Sequence, residues 1–251
     1  MHGSHDTTTV VLSYVVSVLG SLIGLLCTTR ARQATSAAGA VRWVIPGAIA
    51  IGGVGIWLMH FTGMLGYAVG DEIKWAIKYD LAVTAISAAV AICVVGVGLF
   101  TVVRGRASWF RLVAAGTVTG VGVAAMHYTG MAAMQVRGNT HYDREVIAIS
   151  VAIAVVAATA AFWFVVKVRT DWAVIGSALV MGAAVCGMHY TGMRALTVRL
   201  DSLSPPPIGV DVVSFVLPMS VAAALVFAFL LFAVFGADEE LPHRERVSAG
   251  G

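Results

Sequence analysis

The sequence predicts an all-α membrane protein with seven transmembrane helices, arranged as three two-helix repeats plus a seventh span. The 251-residue chain is 59% hydrophobic and only 12% charged, whereas soluble domains are about 45–50% apolar and about 25% charged. Seven stretches reach the roughly 20 apolar residues that a helix needs to cross a bilayer, and one short motif recurs in three of them. This composition excludes a soluble enzyme, a disordered chain and a nucleic-acid-binding protein.

The apolar stretches follow one another with short polar connectors. We expect the spans at Val10–Cys27, Val44–Val69, Leu81–Val103, Leu112–Val136, Val146–Val166, Ala173–Val198 and Val212–Phe235. Together they make one membrane domain, residues 10–235, between a short N-terminal segment (1–9) and a short polar tail (236–251). Because residues 1–9 contain no lysine or arginine, they do not resemble a cleaved signal peptide, and we expect the first span to be retained.

Lysine and arginine predict the orientation, because they accumulate in cytoplasmic loops. Ten of them fall on one side of the membrane, namely Arg30, Arg32, Arg42, Arg104, Arg106, Arg111, Lys167, Arg169, Arg244 and Arg246. Six fall on the other side, namely Lys74, Lys78, Arg137, Arg144, Arg194 and Arg199. The bias predicts an outer N-terminus and a cytoplasmic C-terminus.

The repeated motif closes the second, fourth and sixth spans. It occurs as MHFTGM at Met59–Met64 and as MHYTGM at Met126–Met131 and Met188–Met193. Its histidines are 67 and 62 residues apart, about two membrane crossings each, so all three motifs are expected at one depth, towards the outer face. A single histidine there could be an ordinary interhelical hydrogen bond, but three at equivalent positions point to a functional site.

The motif contains residues that suit a soft metal ion. Residues i and i+4 share a helix face, so each histidine faces the last methionine of its own motif, and the first methionine flanks it. Imidazole together with thioether sulfur, without a carboxylate, favours copper over zinc, magnesium or calcium. The candidate ligands are His60, His127, His189, Met59, Met64, Met126, Met131, Met188 and Met193.

Other residues carry weaker signals. The methionines could instead fill the core. Cys186 lies three residues before His189 and could be a spare ligand, although we expect it, like Cys27 and Cys93, to be a small buried apolar residue outside any disulfide framework. Neither paired buried carboxylates nor a Ser/His/Asp set is suggested by the spacing, so we expect no enzymatic activity.

The threefold Met-His-Tyr-Thr pattern in seven spans resembles the MHYT domain family of bacterial integral-membrane sensors, and the resemblance extends from about Ser13 to Phe235. It implies a multi-pass protein of the bacterial cytoplasmic membrane. It also implies copper held by the motif residues and sensing of a diatomic gas (O2, CO or NO). Phe61 departs from the motif's tyrosine and lacks its hydroxyl. Many relatives carry cyclic-di-GMP domains, and the short tail leads us to expect a separate cytoplasmic signalling partner.

Four hypotheses remain open from the sequence. The first is a copper-binding sensor of a gas or of redox state. The others are a copper transport or handling protein, a haem-binding membrane protein, and a purely structural collar of buried histidines. If the motifs form one site, the three imidazoles should meet around a common point, because metal–imidazole bonds are about 2 Å long.

Overall fold

The computed structural model describes residues 4–69, 77–104, 108–167 and 170–248. It contains seven helices that are long and apolar enough to cross a membrane, which confirms the predicted fold class and indicates a multi-pass membrane protein. Lys74, Arg106 and Arg169 of the charge count lie outside the described residues, as do residues 1–3 and 249–251 of the two ends.

The helices are α1 (Thr7–Gln33), α2 (Ala37–Met64), α3 (Leu81–Arg104), α4 (Trp109–Ala132), α5 (Arg144–Lys167), α6 (Asp171–Arg194) and α7 (Val212–Ser248). In α2, an α-helical segment (Ala37–Ala48) is followed by a π-helical one (Ile49–Leu58) and by an α-helical turn that holds the first motif (Met59–Met64). Pro46 precedes the wider segment.

The motif-bearing helices end earlier than the sequence predicts. The predicted spans end at Val69, Val136 and Val198, whereas α2, α4 and α6 end four or five residues earlier, immediately after the motifs. The apolar residues that follow each motif enter short strands instead. Most of these apolar residues are buried, as Leu196 and Val198 show with no exposed surface.

Six short strands tie the ends of the helices together in antiparallel pairs. β1 (Ser4–His5) pairs with β2 (Tyr67–Ala68), β3 (Lys78–Tyr79) with β4 (Met134–Gln135), and β5 (Gly138–Tyr142) with β6 (Leu196–Leu200). In each pair one strand precedes an odd-numbered helix and the other follows the next even-numbered helix. Each repeat is therefore a strand–helix–helix–strand unit closed at one end of the bundle, which we call the motif end.

The three units assemble into a closed ring of six helices. Each helix packs against the next in the chain, and α6 packs against α1. Because each unit contains two crossings, all three keep the same direction and are related by a pseudo-threefold axis along the bundle. Helix α7 lies outside the ring, against α1 and α2.

Glycine permits the close contact between α4 and α5. A Cβ atom on Gly120 would lie 2.5 Å from Val155 Cα and 2.7 Å from the Ala154 carbonyl oxygen. Backbone atoms cannot move aside as a side chain can, so the two helices meet at a distance that only glycine allows.

We predict that Gly120→Val separates these helices and lowers the free energy of unfolding by about 1–3 kcal/mol, the usual cost of overpacking. The measurement is SDS-induced unfolding in detergent micelles. Gly187→Val is the matched control, because a Cβ on Gly187 would meet nothing within 4 Å. Equal stabilities of the two variants would show that the contact does not limit packing.

Candidate metal centre

The three motif histidines meet at the axis of the helix ring. His60 on α2, His127 on α4 and His189 on α6 are each at most 1% exposed. Their ring centroids are 4.8, 4.9 and 5.3 Å apart, and one nitrogen of each ring lies within 4.8 Å of the other two. The expected common point therefore exists. In the described part of the chain, this is the single group of three or more His, Cys, Asp or Glu side chains whose ligand atoms converge in this way.

The converging atoms are the Nδ1 nitrogens. His60 Nδ1 lies 2.9 Å from His189 Nδ1 and 3.1 Å from His127 Nδ1. An imidazole nitrogen has one hydrogen-bonding direction, so His60 Nδ1 cannot form a good hydrogen bond to both neighbours. Two nitrogens that share a tetrahedral ion at about 2.0 Å are roughly 3.3 Å apart. Hydrogen bonds therefore cannot satisfy both contacts of His60 Nδ1, whereas the nitrogen–nitrogen distances of 2.9 and 3.1 Å are close to those that one shared cation requires.

The far side of each ring rests on a glycine of another motif. Cβ atoms built on Gly130, Gly192 and Gly63 would lie 2.6 Å from His60 Nε2, 2.3 Å from His127 Nε2 and 2.7 Å from His189 Nε2. The order is cyclic, because each motif receives the histidine of a different motif. From the sequence, these glycines either allow close packing or open the backbone near the site. Glycine is needed at this motif position because a side chain there would occupy the space of the imidazole.

These contacts orient the rings. The Nε2 atoms of His60 and His127 are buried and have no hydrogen-bond partner among the described residues. A neutral imidazole carries one proton and one lone pair. A proton on Nε2 leaves the Nδ1 lone pair directed to the centre, which is the form that a metal ligand needs.

Two motif tyrosines bond to serines on the next helix of the ring. Tyr128 Oη lies 2.6 Å from Ser150 Oγ, and Tyr190 Oη lies 2.9 Å from Ser13 Oγ. Each serine hydroxyl donates its own proton to a backbone carbonyl three residues earlier. The tyrosine is therefore the donor, and the bond fixes the residue next to the histidine against an adjacent repeat.

In the first repeat, a tryptophan replaces the tyrosine as the donor to the serine. Phe61 has no hydroxyl, but Trp57 Nε1 donates to Ser87 Oγ at 3.0 Å. Ser13, Ser87 and Ser150 are each the seventh residue of their helices and are completely buried. This recurrence is a signal in the sequence that could have identified the serines. We refer to the three bonds as the serine contacts.

Phe61 instead contacts the seventh helix. Its ring lies 5.1 Å from that of Phe215 on α7 and 5.9 Å from that of Tyr79, in both cases edge to face. The centroid of the His60 ring is 4.7 Å from that of Phe61. The residue that departs from the motif therefore connects the histidine cluster to the helix outside the ring.

All six candidate methionines are buried, with at most 3% of each exposed. Five of them belong to the continuous apolar core: Met64, Met126, Met131, Met188 and Met193. Burial is compatible with both core filling and ligation, so metal binding by these residues stays a prediction. Cys186 and Cys27 are buried as expected, but Cys93 is exposed on α3, which corrects the expectation for that residue. Its position in an apolar run reflects a lipid-facing surface.

The geometry disfavours haem. Two axial imidazoles on one iron would hold their nitrogens roughly 4 Å apart, twice a metal–imidazole bond of about 2 Å. The separations of 2.9 and 3.1 Å that involve His60 Nδ1 are shorter, so His60 is not placed to form such a pair with either neighbour.

Comparison with known proteins gives consistent matches. The family model described as MHYT, "Bacterial signalling protein N terminal repeat", matches residues 53–115, 120–178 and 182–244. The bifunctional diguanylate cyclase/cyclic di-GMP phosphodiesterase MucR of Pseudomonas aeruginosa is 38% identical over 206 residues, which is 79% of this chain and 29% of MucR. The cyclic di-GMP phosphodiesterase NbdA of the same organism is 30% identical over 80% of this chain and 26% of its own length.

The signaling protein YkoW of Bacillus subtilis is 32% identical over 86% of this chain and 27% of its own length. The chain thus spans less than a third of the length of each of these relatives. No solved structure gives a significant match.

We predict that Ser150→Ala and Tyr128→Phe are energetically coupled. Ser150→Ala leaves the half-buried phenol of Tyr128 without its acceptor and should cost about 1 kcal/mol of unfolding free energy. The double variant reproduces the phenylalanine of the first motif, and we expect a coupling energy of about 0.5–1.5 kcal/mol, within the range for bonds between membrane helices. The measurement is a double-mutant cycle by SDS-induced unfolding.

Ser220→Ala is the control for this cycle. Ser220 donates to one carbonyl of its own helix, so its loss should not couple to Tyr128→Phe. A coupling of zero between the Ser150 and Tyr128 variants would contradict the assigned role of the contact.

Proposed function

Since the chain belongs to the MHYT family of bacterial signalling proteins, we propose that it is a membrane sensor in which His60, His127 and His189 hold one copper ion. The observation that carries the proposal is the convergence of three buried Nδ1 atoms, with 2.9 and 3.1 Å between neighbours. The seven helices indicate a multi-pass membrane protein, and the family match gives the signalling family. Copper and the sensed signal are the proposal.

The chain's own residues would prepare the ion site. The glycine cradles at Gly63, Gly130 and Gly192 turn each Nε2 outward and each Nδ1 inward. The serine contacts hold the motif helices against their neighbours, which limits the freedom of the rings before an ion arrives. When bound, copper would supply a redox-active centre able to take a diatomic gas such as O2, CO or NO.

The choice of copper rests on the donor types. Three imidazoles alone would also suit zinc. Each motif histidine has a buried methionine one residue before it and another four residues after it, and thioether sulfur favours Cu(I).

A structural route leads from the cluster to α7. A displacement of His60 would move Phe61, which touches it, and Phe61 packs on Phe215 of α7. Helix α7 continues to Ser248 at the C-terminal end. A signal requires that the ligand binds two arrangements of this route with different affinities.

The proposed setting follows the charge bias of the loops. The motif end would face outward from the bacterial cytoplasmic membrane, and α7 would deliver its C-terminal end to the cytoplasm. MucR and NbdA are named for activities on cyclic di-GMP. We propose that this domain controls an output of that kind, carried by a cytoplasmic signalling partner.

We predict that the purified chain binds one Cu(I) and that a variant with His60, His127 and His189 all changed to Ala binds none, because the three Nδ1 ligands are removed. The measurement is elemental mass spectrometry after loading and desalting, with zinc loaded in parallel. His141→Ala is the control, since His141 is exposed and is not one of the three converging histidines. An empty parent would favour a structural collar, and a preference for zinc would overturn the choice of copper.

We also predict that Gly192→Ala weakens Cu(I) binding by about tenfold or more, the usual effect of disturbing the groups that orient a ligand. A Cβ there would lie 2.3 Å from His127 Nε2, so the ring must turn. The measurement is competition with a coloured Cu(I) chelator. Gly187→Ala, on the same helix and without neighbours within 4 Å, should bind as the parent does; equal weakening in both variants would count against the cradle.

A further inference from the structure

A cavity of about 60 Å³ lies inside the helix ring, and all six ring helices line it. Its lining includes the residues four positions before each motif histidine, namely Ile56, Val123 and Val185. Four residues of helix rise about 6 Å, so the cavity begins one turn beneath the histidine cluster. Met188, next to His189, also lines it.

The cavity extends away from the motif end along α5. Its lining on this helix runs from Ala154 to Val165, which is about 16 Å of helix. At Val165 the carbonyl oxygen accepts a hydrogen bond from Arg32 of α1. Arg32, at the end of the bundle opposite the motif end, therefore extends across the ring at the level where the cavity lining ends.

The lining is almost entirely apolar. Its two hydroxyl-bearing residues are Ser21 and Thr119, and the Thr119 hydroxyl donates to the Val94 carbonyl. A buried water needs two to four polar partners, and apolar cavities stay dry and take up benzene or xenon. A hydrated ion would find few ligands here, so the cavity suits a small apolar molecule better than it suits a route for metal transport.

We propose that this axial cavity is a binding site for an apolar molecule of two or three heavy atoms, placed one helical turn beneath the three histidines. The volume exceeds the roughly 10–15 Å³ that a single water-sized probe needs, yet it is far smaller than a drug-sized pocket of about 300–1,000 Å³. A diatomic gas matches both limits. That the cavity feeds the histidine centre rests on the proposed function; that it binds an apolar molecule does not.

The test uses xenon as the probe on the full chain in lipid nanodiscs, treated with chelator, and followed by xenon-129 NMR. Ala158 lines the cavity, so Ala158→Phe should fill it and abolish saturable xenon exchange. Val156 on the same helix is 68% exposed, so Val156→Phe adds a larger ring on the lipid-facing surface and should leave xenon exchange unchanged.

A second variant protects the test against misfolding of the first. Val123→Ala enlarges the cavity instead of filling it and should increase the saturable xenon signal. Saturable exchange that persists in Ala158→Phe, or a signal that Val123→Ala leaves unchanged, overturns the site. So does a parent protein without saturable exchange.

Copper loading is read separately from xenon binding. Xenon binding in a protein that takes up no copper would leave the cavity established and refute the proposed metal centre. Copper binding without xenon binding would support the metal centre and refute the cavity site. If both bind, Ala158→Phe in the Cu(I)-loaded protein should slow CO association while the copper content stays at the parent value; an unchanged CO rate would overturn the supply of gas through the cavity.

Discussion

The Nδ1 atoms of His60, His127 and His189 meet inside an apolar bundle, where the Nε2 atoms of His60 and His127 have no hydrogen-bond partner among the described residues. Leaving a buried polar group unpaired costs free energy, so the cluster must be held by groups that cannot easily move. Glycines behind the rings, serines on the neighbouring helices and strand pairs at the motif end provide this restraint. The glycines and serines lie in a different repeat from the side chains that they contact, and each strand pair joins the two helices of one repeat. Together these contacts hold the ring of six helices.

The departures from threefold symmetry are grouped in the first repeat. Phe61 lacks the hydroxyl of Tyr128 and Tyr190, and Trp57 reaches the equivalent serine instead. The phenyl ring is then available for Phe215 of α7. Trp57 thus retains the bond between α2 and α3, while Phe61 contacts the seventh helix. A site that reports outside its own ring needs such an asymmetric connection.

The family matches and the structural repeats pair the helices differently. Each match begins in an even-numbered helix and continues into the following odd-numbered one, so the third match runs into α7. In space, α6 packs against α1, and Tyr190 bonds to Ser13 of that helix, so α1 and not α7 takes the place of the second helix of the third match. This arrangement lets an odd number of spans contain a closed threefold ring and still place one helix outside it.

The sequence alone determined the seven spans, the two-helix repeat and the histidines that should meet, because hydropathy and a repeated motif at equal depth depend only on order along the chain. It misjudged the ends of α2, α4 and α6, since buried strands and membrane helices are equally apolar. Tertiary structure alone decided which ring nitrogen faces inward, which glycine receives which histidine, and that Ser87 pairs with Trp57. It alone created the axial cavity. These features depend on distances between atoms of different helices, and such distances arise only when the ring closes.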